Sequence, residues 1–428
     1  TGRTVCDNKG KPVKQYEPFF AASPRFDDET ELVERGVTPV MHYDPLGRLV
    51  RTDHPDGTFQ KISFDAWHIR RSDRNDTVVD SDWYQARTPA SGADPLDKRS
   101  AELAKDHAET PSVTRLDSLG RPYQAIADDG HRQIPTTGRS TVLGQTRAVR
   151  DVKGRDVMVH RYDMLGRTIQ TVSMDAGTRR MFAAADGRPM RVWDDRGRTS
   201  ASSYDALRRP TATEVTRPDG TSFVAEKVVY GIEAANAKAR NLLGKPYELY
   251  DGAGVVTHER SDFEDNILET RRTLTEAYDT APDWSADPTL EDVTFVQSHA
   301  YDVVGRPTER RIWHVTGGDA RLDHLAPASE SEPVALETRT YTPAGRVETI
   351  TADARRTGKR PYLGGVTYNA RGQRTHVHYG GEPGEHLLRT EHAFDDETFR
   401  LDRLQTFRRR DGAKLQDRGY TYDPVGNI

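Results

Sequence analysis

A single cysteine, Cys6, stands in a chain of 428 residues, so neither an internal disulfide nor a cysteine zinc cluster can form within it. No stretch approaches the roughly 18 consecutive apolar residues of a membrane-spanning helix. Charge of one sign is lacking too. The 62 basic and 67 acidic residues leave a net −5, and no concentrated basic surface argues for nucleic acid. There is no G-x-S-x-G, no Walker loop and no H-E-x-x-H, which removes common hydrolase, NTPase and metalloprotease signatures. Apolar residues are scarce. Counted without Tyr and with Gly they make up roughly 38% of the chain, against about 45–50% in an ordinary globular protein. Disorder usually couples low hydrophobicity to high net charge. Only the first holds here, and the 17 Tyr and 5 Trp are regularly placed, so the expectation is an ordered chain with a thin core.

What the chain has in abundance is one hexapeptide: aromatic, Asp, two variable residues, Gly, then Arg or a polar substitute. "YDPLGR" contributes Tyr43, Asp44, Gly47 and Arg48, and "YDMLGR" contributes Tyr162, Asp163, Gly166 and Arg167. "YDVVGR" brings Tyr301, Asp302 and Gly305, and "YDPVGN" brings Tyr422, Asp423 and Gly426. Looser copies are "LDSLGR" with Asp117 and Gly120, "WDDRGR" (193–198), "YTPAGR" with Tyr341 and Gly345, and "YNARGQ" with Tyr368 and Gly372. "YDALRR" keeps Tyr204 and Asp205 but has Arg208 where the glycine belongs. The chain has no initiator Met and stops one residue past a copy of the motif, so it reads as an internal piece of a longer chain, with any terminal targeting signal out of view.

Asp at the first position of a type I turn caps it with a carboxylate, and Gly suits the fourth. The preceding Tyr is a strand residue whose ring can cover the neighbouring repeat. The following strand alternates weakly, as in "RTIQTVSM" (167–174), with neither face strongly apolar. A second turn often follows, as in "HPDGT" (54–58) and "RPDGT" (217–221), hairpin signals of the Asp-Gly kind. The unit is strand, Asp-x-x-Gly turn, strand, Asp-Gly hairpin, strand. Its step varies: Gly154 and Gly166 are 12 apart, Gly305 and Gly345 are 40 apart. That irregularity argues against a propeller or tight solenoid and for a meandering sheet with insertions. Two insertions read as short helices, near 97–108 and 232–243, and polar loops are expected at about 278–291 and 317–333.

Sites for chemistry are few. His376 and His378 share a strand face and could begin a metal site, but no third ligand can be named. The acidic clusters Asp27–Asp28–Glu29, Asp128–Asp129, Asp194–Asp195 and Asp395–Asp396–Glu397 could serve a glycosidic reaction only if two carboxylates faced each other about 5–10 Å apart. Turn capping is the plainer reading. Phe64, Trp67, Trp83 and Tyr84 bracket a charged stretch, either as a glycan or partner platform or as an aromatic plug packing a long loop. No cofactor, metal or catalytic residue is expected.

The repeated "YDxxGR" resembles YD repeats, also called RHS repeats. The segments at 43–84, 108–130 and 162–210 resemble more narrowly the C-terminal half of the B component (SpvB/TcdB-like) of bacterial ABC (Tc) insecticidal toxin complexes. The resemblance runs over nearly the whole chain and is weakest between about 275 and 335. It implies an all-β fold: antiparallel repeat hairpins in a large curved sheet, residues 1–428 forming one wall segment of a hollow cocoon-like shell. It implies a C component as partner, which carries the toxic effector and the self-cleavage site. A pore-forming A component would dock through parts of the B component not in this sequence. It also implies a secreted protein assembled in the producing cell's cytoplasm. A single-layer wall needs less apolar area than a packed sandwich, in keeping with the thin core, but must protect its edges. Two other readings stand beside this one: a secreted or surface carbohydrate-binding adhesion module, and a hydrolase built on a carboxylate pair.

Overall fold

A computed structural model describes residues 3–20, 38–88, 92–316, 329–355, 358–381 and 385–428. Among them 29 β-strands belong to one hydrogen-bonded sheet, and every strand pair with a defined register is antiparallel. Consecutive strands are neighbours. Leu49–Asp53 pairs with Phe59–Phe64, which pairs with His68–Ser72; Thr199–Tyr204 pairs with Pro210–Thr216, which pairs with Ser222–Tyr230. The chain forms two compact units: Thr1–Met158 with Val366–His378 and His386–Ile428, and Val159–Gly365 with Tyr379–Glu385.

In an up-and-down order successive turns fall on opposite rims of the sheet. Nearly all the hexapeptides fall on the same one, here called the motif rim. In the first unit it carries the turns at 7–11, 44–48, 117–121, 141–145, 369–373, 395–400 and 423–427; in the second, those at 163–167, 184–188, 205–209, 262–266, 302–306 and 342–346. "WDDRGR" is an exception, on the opposite rim.

The turns share one construction. The Gly47 N–H donates to the Asp44 carbonyl at 2.8 Å, and the Asp44 N–H donates to the Arg48 carbonyl at 3.0 Å. Gly47 has φ +76°, and the strand register shifts between His42 and Tyr43. This is a type I turn closed by a left-handed residue in a bulge. The Asp-Gly hairpins are the same object. At 54–58 the Gly57 N–H donates to His54 and the His54 N–H to Thr58, with Pro55 fixing the first central φ negative. Arg208, in place of glycine, adopts φ +61° and keeps both bonds. Two further turns lack any glycine to announce them. Asp265 takes φ +71° in 262–266, and Phe399 takes φ +56° in 395–400, a turn one residue longer.

The expected helix near 97–108 is present as Pro95–Lys105, with Asp94 capping the Leu96 N–H and Pro95 opening the first turn. The helix expected near 232–243 is not. Only a single 3₁₀ turn forms, at Gly231–Glu233, and irregular turns follow. Asn236 and Asn241 both sit at φ +54°, and a left-handed residue cannot continue a right-handed helix. The Ala-rich composition is used for packing instead, with Ala234, Ala237 and Leu242 clustered against Tyr247. The polar loop expected at 278–291 is pinned: Trp284 is buried, donates its indole N–H to the Asp251 carbonyl at 3.0 Å and lies edge-on to Tyr250. The loop expected at 317–333 and the cluster Asp27–Asp28–Glu29 lie wholly or mostly outside the described residues.

If the left-handed position governs the turn, Gly166→Ala will cost about 1–2 kcal/mol. Arg208→Gly should instead stabilise the fold, by at most about 1 kcal/mol after loss of its exposed pair with Asp186. Urea unfolding of the two variants checks this, and equal shifts of the same sign would refute it.

Candidate functional site

Several of the hexapeptides connect neighbouring turns. The aspartate works first within its own turn. One oxygen of Asp163 accepts the N–H groups of Leu165 and Arg167, both at 2.9 Å, and the other accepts Arg167 Nε at 2.6 Å. Asp302 repeats this with Val304 and Arg306, and Asp117 with Leu119 and Arg121. Asp44 and Asp205 hold Arg48 and Arg209 by the same backbone and side-chain pair of bonds. In the last copy Asp423 takes the N–H groups of Gly426 and Asn427 and the Asn427 amide.

The free end of the arginine then reaches the next turn on the motif rim. Arg167 Nη1 donates to the Ala184 carbonyl at 2.8 Å, and Arg121 Nη1 to Val142 at 3.2 Å. Arg400 binds the Asp423 and Pro424 carbonyls, each at 2.7 Å. Lys11 reaches Gly47, Arg188 reaches Arg208, and Gln373 stands in with a 2.7 Å bond to Phe399. The tyrosine completes the link from the other side. Tyr341 donates its hydroxyl to the Pro307 carbonyl at 2.7 Å and lies under the Arg306 guanidinium, 4.6 Å from the ring centre. Tyr204, Tyr43 and Tyr422 bond Pro189, Pro12 and Leu401 in the same way, and Tyr301 bonds Ile267. Tyr162 and Tyr368 are half-buried at their strand ends, and Gly120, Gly305, Gly345, Gly372 and Gly426 are all left-handed. The sequence pattern placed Asp, Gly and Tyr. It did not reveal the reach of Arg, because that contact joins residues about 20 positions apart with no fixed spacing.

Within the first unit the motif rim meets the opposite rim. Asn75 Nδ2 donates to Asp423 Oδ2 at 2.8 Å, and Ser100 Oγ donates to the Tyr422 carbonyl at 2.7 Å. Arg371 pairs with Glu17 at 3.5 Å. Pro424, at the tip of the last turn, is fully buried there. A polar groove beside this seam is lined by Asp56, Trp83, Arg87, Asp97, Glu397 and Arg400.

The four aromatics do not form one platform. Trp83 is buried with Val78, Ala101 and Ala104, and Tyr84 packs on that cluster. Phe64 lies under Arg48, 4.4 Å from its guanidinium carbon, while Trp67 is 54% exposed. The acidic clusters in the described residues are used as caps. Asp128 accepts from Gly130, Asp129 from His131 and Arg132, Asp194 from Arg196 and Arg198, and Asp395 from Glu397 and Thr398. His378 meets His386 ring to ring at 4.5 Å, and no group of three or more metal-ligating side chains stands together among the described residues.

Two sets of groups titrate away from their ordinary values. Asp44, Asp117, Asp151, Asp163 and Asp302 are held below the carboxylate range, chiefly by the backbone N–H of the arginine four residues on. Burial pushes the imidazoles of His54, His258, His299, His378 and His392 down.

Comparison with known proteins agrees with this geometry. The RHS Repeat family model matches residues 185–222. Toxin subunit YenC2 of Yersinia entomophaga is 25% identical over 358 residues, 75% of this chain and 35% of that protein. Among solved structures, TcdB2-TccC3 superposes with a TM-score of 0.82 at 22% identity, covering all of this chain and 20% of the other. A Photorhabdus luminescens Tc holotoxin pore gives 0.83 at 22% identity, covering all of this chain and 19% of the other. The chain thus carries an RHS repeat, is related in sequence to a toxin subunit, and has the antiparallel all-β fold of part of these toxin assemblies. It spans about a third of the curated relative and about a fifth of the solved chains.

Two outcomes are expected. Trp83→Ala should cost about 3–5 kcal/mol by emptying the cluster under the insertion, whereas Trp67→Ala stays within about 0.5 kcal/mol. Denaturant unfolding and trypsin cleavage within 73–111 read both; equal effects would contradict the placement. Acidification should lower the urea midpoint in two stages. Both sets of groups have depressed folded pKa values, so both contribute stability that is lost as pH falls. The histidine share fades below 6.5 and the aspartate share below 3.8, each until the lowered folded value is passed. A midpoint unchanged between about pH 7 and 5 would remove the histidine share.

Proposed function

We propose that residues 1–428 form a wall segment of a Tc-type toxin shell, a non-enzymatic scaffold. With a C component it encloses an unfolded toxic effector before translocation. The observation that carries this reading is the linked motif rim: a sheet with little two-sided core holds its geometry through turn-to-turn bonds, which leaves strand faces free to border a lumen. The shared fold with TcdB2-TccC3 supports it. Under this reading Tyr, Asp, Gly and Arg of each hexapeptide are structural residues, and no residue is assigned a catalytic role. The protein is secreted after assembly in the producing cell's cytoplasm, and the A component attaches through other parts of the full-length protein. The adhesion reading has less support, because the four aromatics proposed as a platform point to separate environments.

Single-particle electron microscopy of the full-length protein co-expressed with its C component tests this. A closed hollow particle with weak internal density is expected. A solid particle without a lumen would overturn containment.

A further inference from the structure

Four neighbouring strands of the second unit hold no carboxylate. Thr168–Ser173, Gly177–Ala183, Pro189–Trp193 and Thr199–Tyr204 contain neither Asp nor Glu, and the acidic residues of this stretch sit in the turns between them. Elsewhere in the unit strand arginines find an acid close by. Arg271 pairs with Glu269 at 3.1 Å, Arg272 with Asp251 at 2.7 Å and Arg311 with Glu309 at 2.9 Å. Arg161, Arg180 and Arg191 differ: among the described residues their side chains make no ion pair and no hydrogen bond.

Register puts these three arginines on one face with two large aromatics, since residues opposite each other in an antiparallel pair share a face. Arg180 stands opposite Trp193 and Phe182 opposite Arg191, so the four form a square in which ring and guanidinium alternate. Arg161 joins them from the preceding strand. Its neighbour His160 hydrogen-bonds Thr171 at 3.3 Å, and Thr171 lies opposite Arg179. Arg161 therefore falls on the other face, with Gln170 and Arg180. All five side chains are exposed, Phe182 at 61% and Trp193 at 37%. The packing residues of these strands are elsewhere: on the reverse face Met181 meets Val192, both half-buried. Beside the square stand only the small residues Thr199 and Ala201, opposite Trp193 and Arg191. Glu214 is one strand further on, opposite Ala201.

Such a square is incomplete by itself. Arg180 and Arg191 are diagonal neighbours, where like charges repel unless an anion lies between them. Guanidinium forks take carboxylate and similar oxyanions through paired hydrogen bonds. Exposed Trp and Phe offer flat apolar area on which another ring can lie, and exposed apolar groups ringed by polar ones mark binding surfaces. A charged sugar has both parts, a ring with an apolar face and an oxyanion. A nucleic acid needs cations along its length. Here it would run onto the carboxylates of the turns at both strand ends, Asp175 at one and Asp186 at the other.

We infer that Arg161, Arg180, Phe182, Arg191 and Trp193 form a binding site for an anionic glycan, with sugar rings on the two aromatics and carboxylate or sulfate groups on the arginines. The inference does not rest on the shell reading and asks only that this face meets solvent. The test uses the full-length protein co-expressed with its C component, on biolayer sensors carrying hyaluronan (carboxylate), carrageenan (sulfate) or neutral dextran. Binding to at least one charged polymer and not to dextran is expected, and the polymer that binds identifies the anion. Arg180→Ala with Arg191→Ala should weaken binding by roughly tenfold. Phe182→Ala leaves the charge unchanged and should still weaken it several-fold, which keeps the test standing if the double variant misfolds. Arg179→Ala, on the reverse face, should leave it as it was. No binding to either charged polymer would overturn the inference. So would the pattern of plain ion exchange, with Arg179→Ala as damaging as the double variant and Phe182→Ala without effect. Binding of an oligothymidine strand or of phosphatidylserine vesicles in place of the polymers would overturn it in favour of another partner.

Discussion

A carboxylate that holds an arginine, which in turn holds the next turn's carbonyl, is the bond on which this sheet depends. Asp163 fixes Arg167 through one oxygen and closes its own turn through the other, so the guanidinium leaves the turn already aimed at Ala184. The same side chain that neutralises the aspartate gives a second bond to a carbonyl that already accepts the Gly187 N–H of its own turn. A guanidinium suits this because its donors point in a fixed fork and can serve two acceptors at once. Where lysine or glutamine replaces it, at Lys11 and Gln373, the link to the next turn survives.

That link explains how an apolar-poor chain can be ordered. Among the described residues the apolar clusters lie chiefly beneath insertions, around Trp83 and around Leu242, and not as one continuous layer. Elsewhere the strands are held by their ladders, by aromatic–guanidinium contacts such as Arg209 over Tyr230 at 3.8 Å, and by cross-strand pairs such as Arg403 with Asp417. Exposed pairs of this kind contribute little one at a time. Repeated along many strands they favour one register over its neighbours.

Much of this was legible in the sequence. Asp-x-x-Gly fixed the turns because only a carboxylate-capped bend with a left-handed closing residue fits that spacing, and Tyr marked the strand end before it. Reading by glycine had a blind side. The turns at Asp262 and Asp395 close on Asp265 and Phe399, residues that adopt a left-handed backbone only because the sheet on either side imposes it. The stretch at 232–243 failed for the converse reason: its alanines favour helix, but two asparagines reverse the backbone and Leu242 is drawn into a local cluster. Neither the reach of Arg nor the meeting of the rims could be read from spacing, since both join parts of the chain with no fixed separation.

The seam in the first unit has a kinetic consequence. Almost every other contact in the sheet joins a strand to the next one, so hairpins can add in order as the chain leaves the ribosome, each closing only a short loop. The bond from Asn75 to Asp423 spans 348 residues, and that from Ser100 to Tyr422 spans 322. It cannot form until the last hairpin exists. The insertion with Trp83 must therefore wait, folded but uncovered on that side, while the residues between are made. Closure of the seam is then a report that the whole intervening strip has been laid down in register.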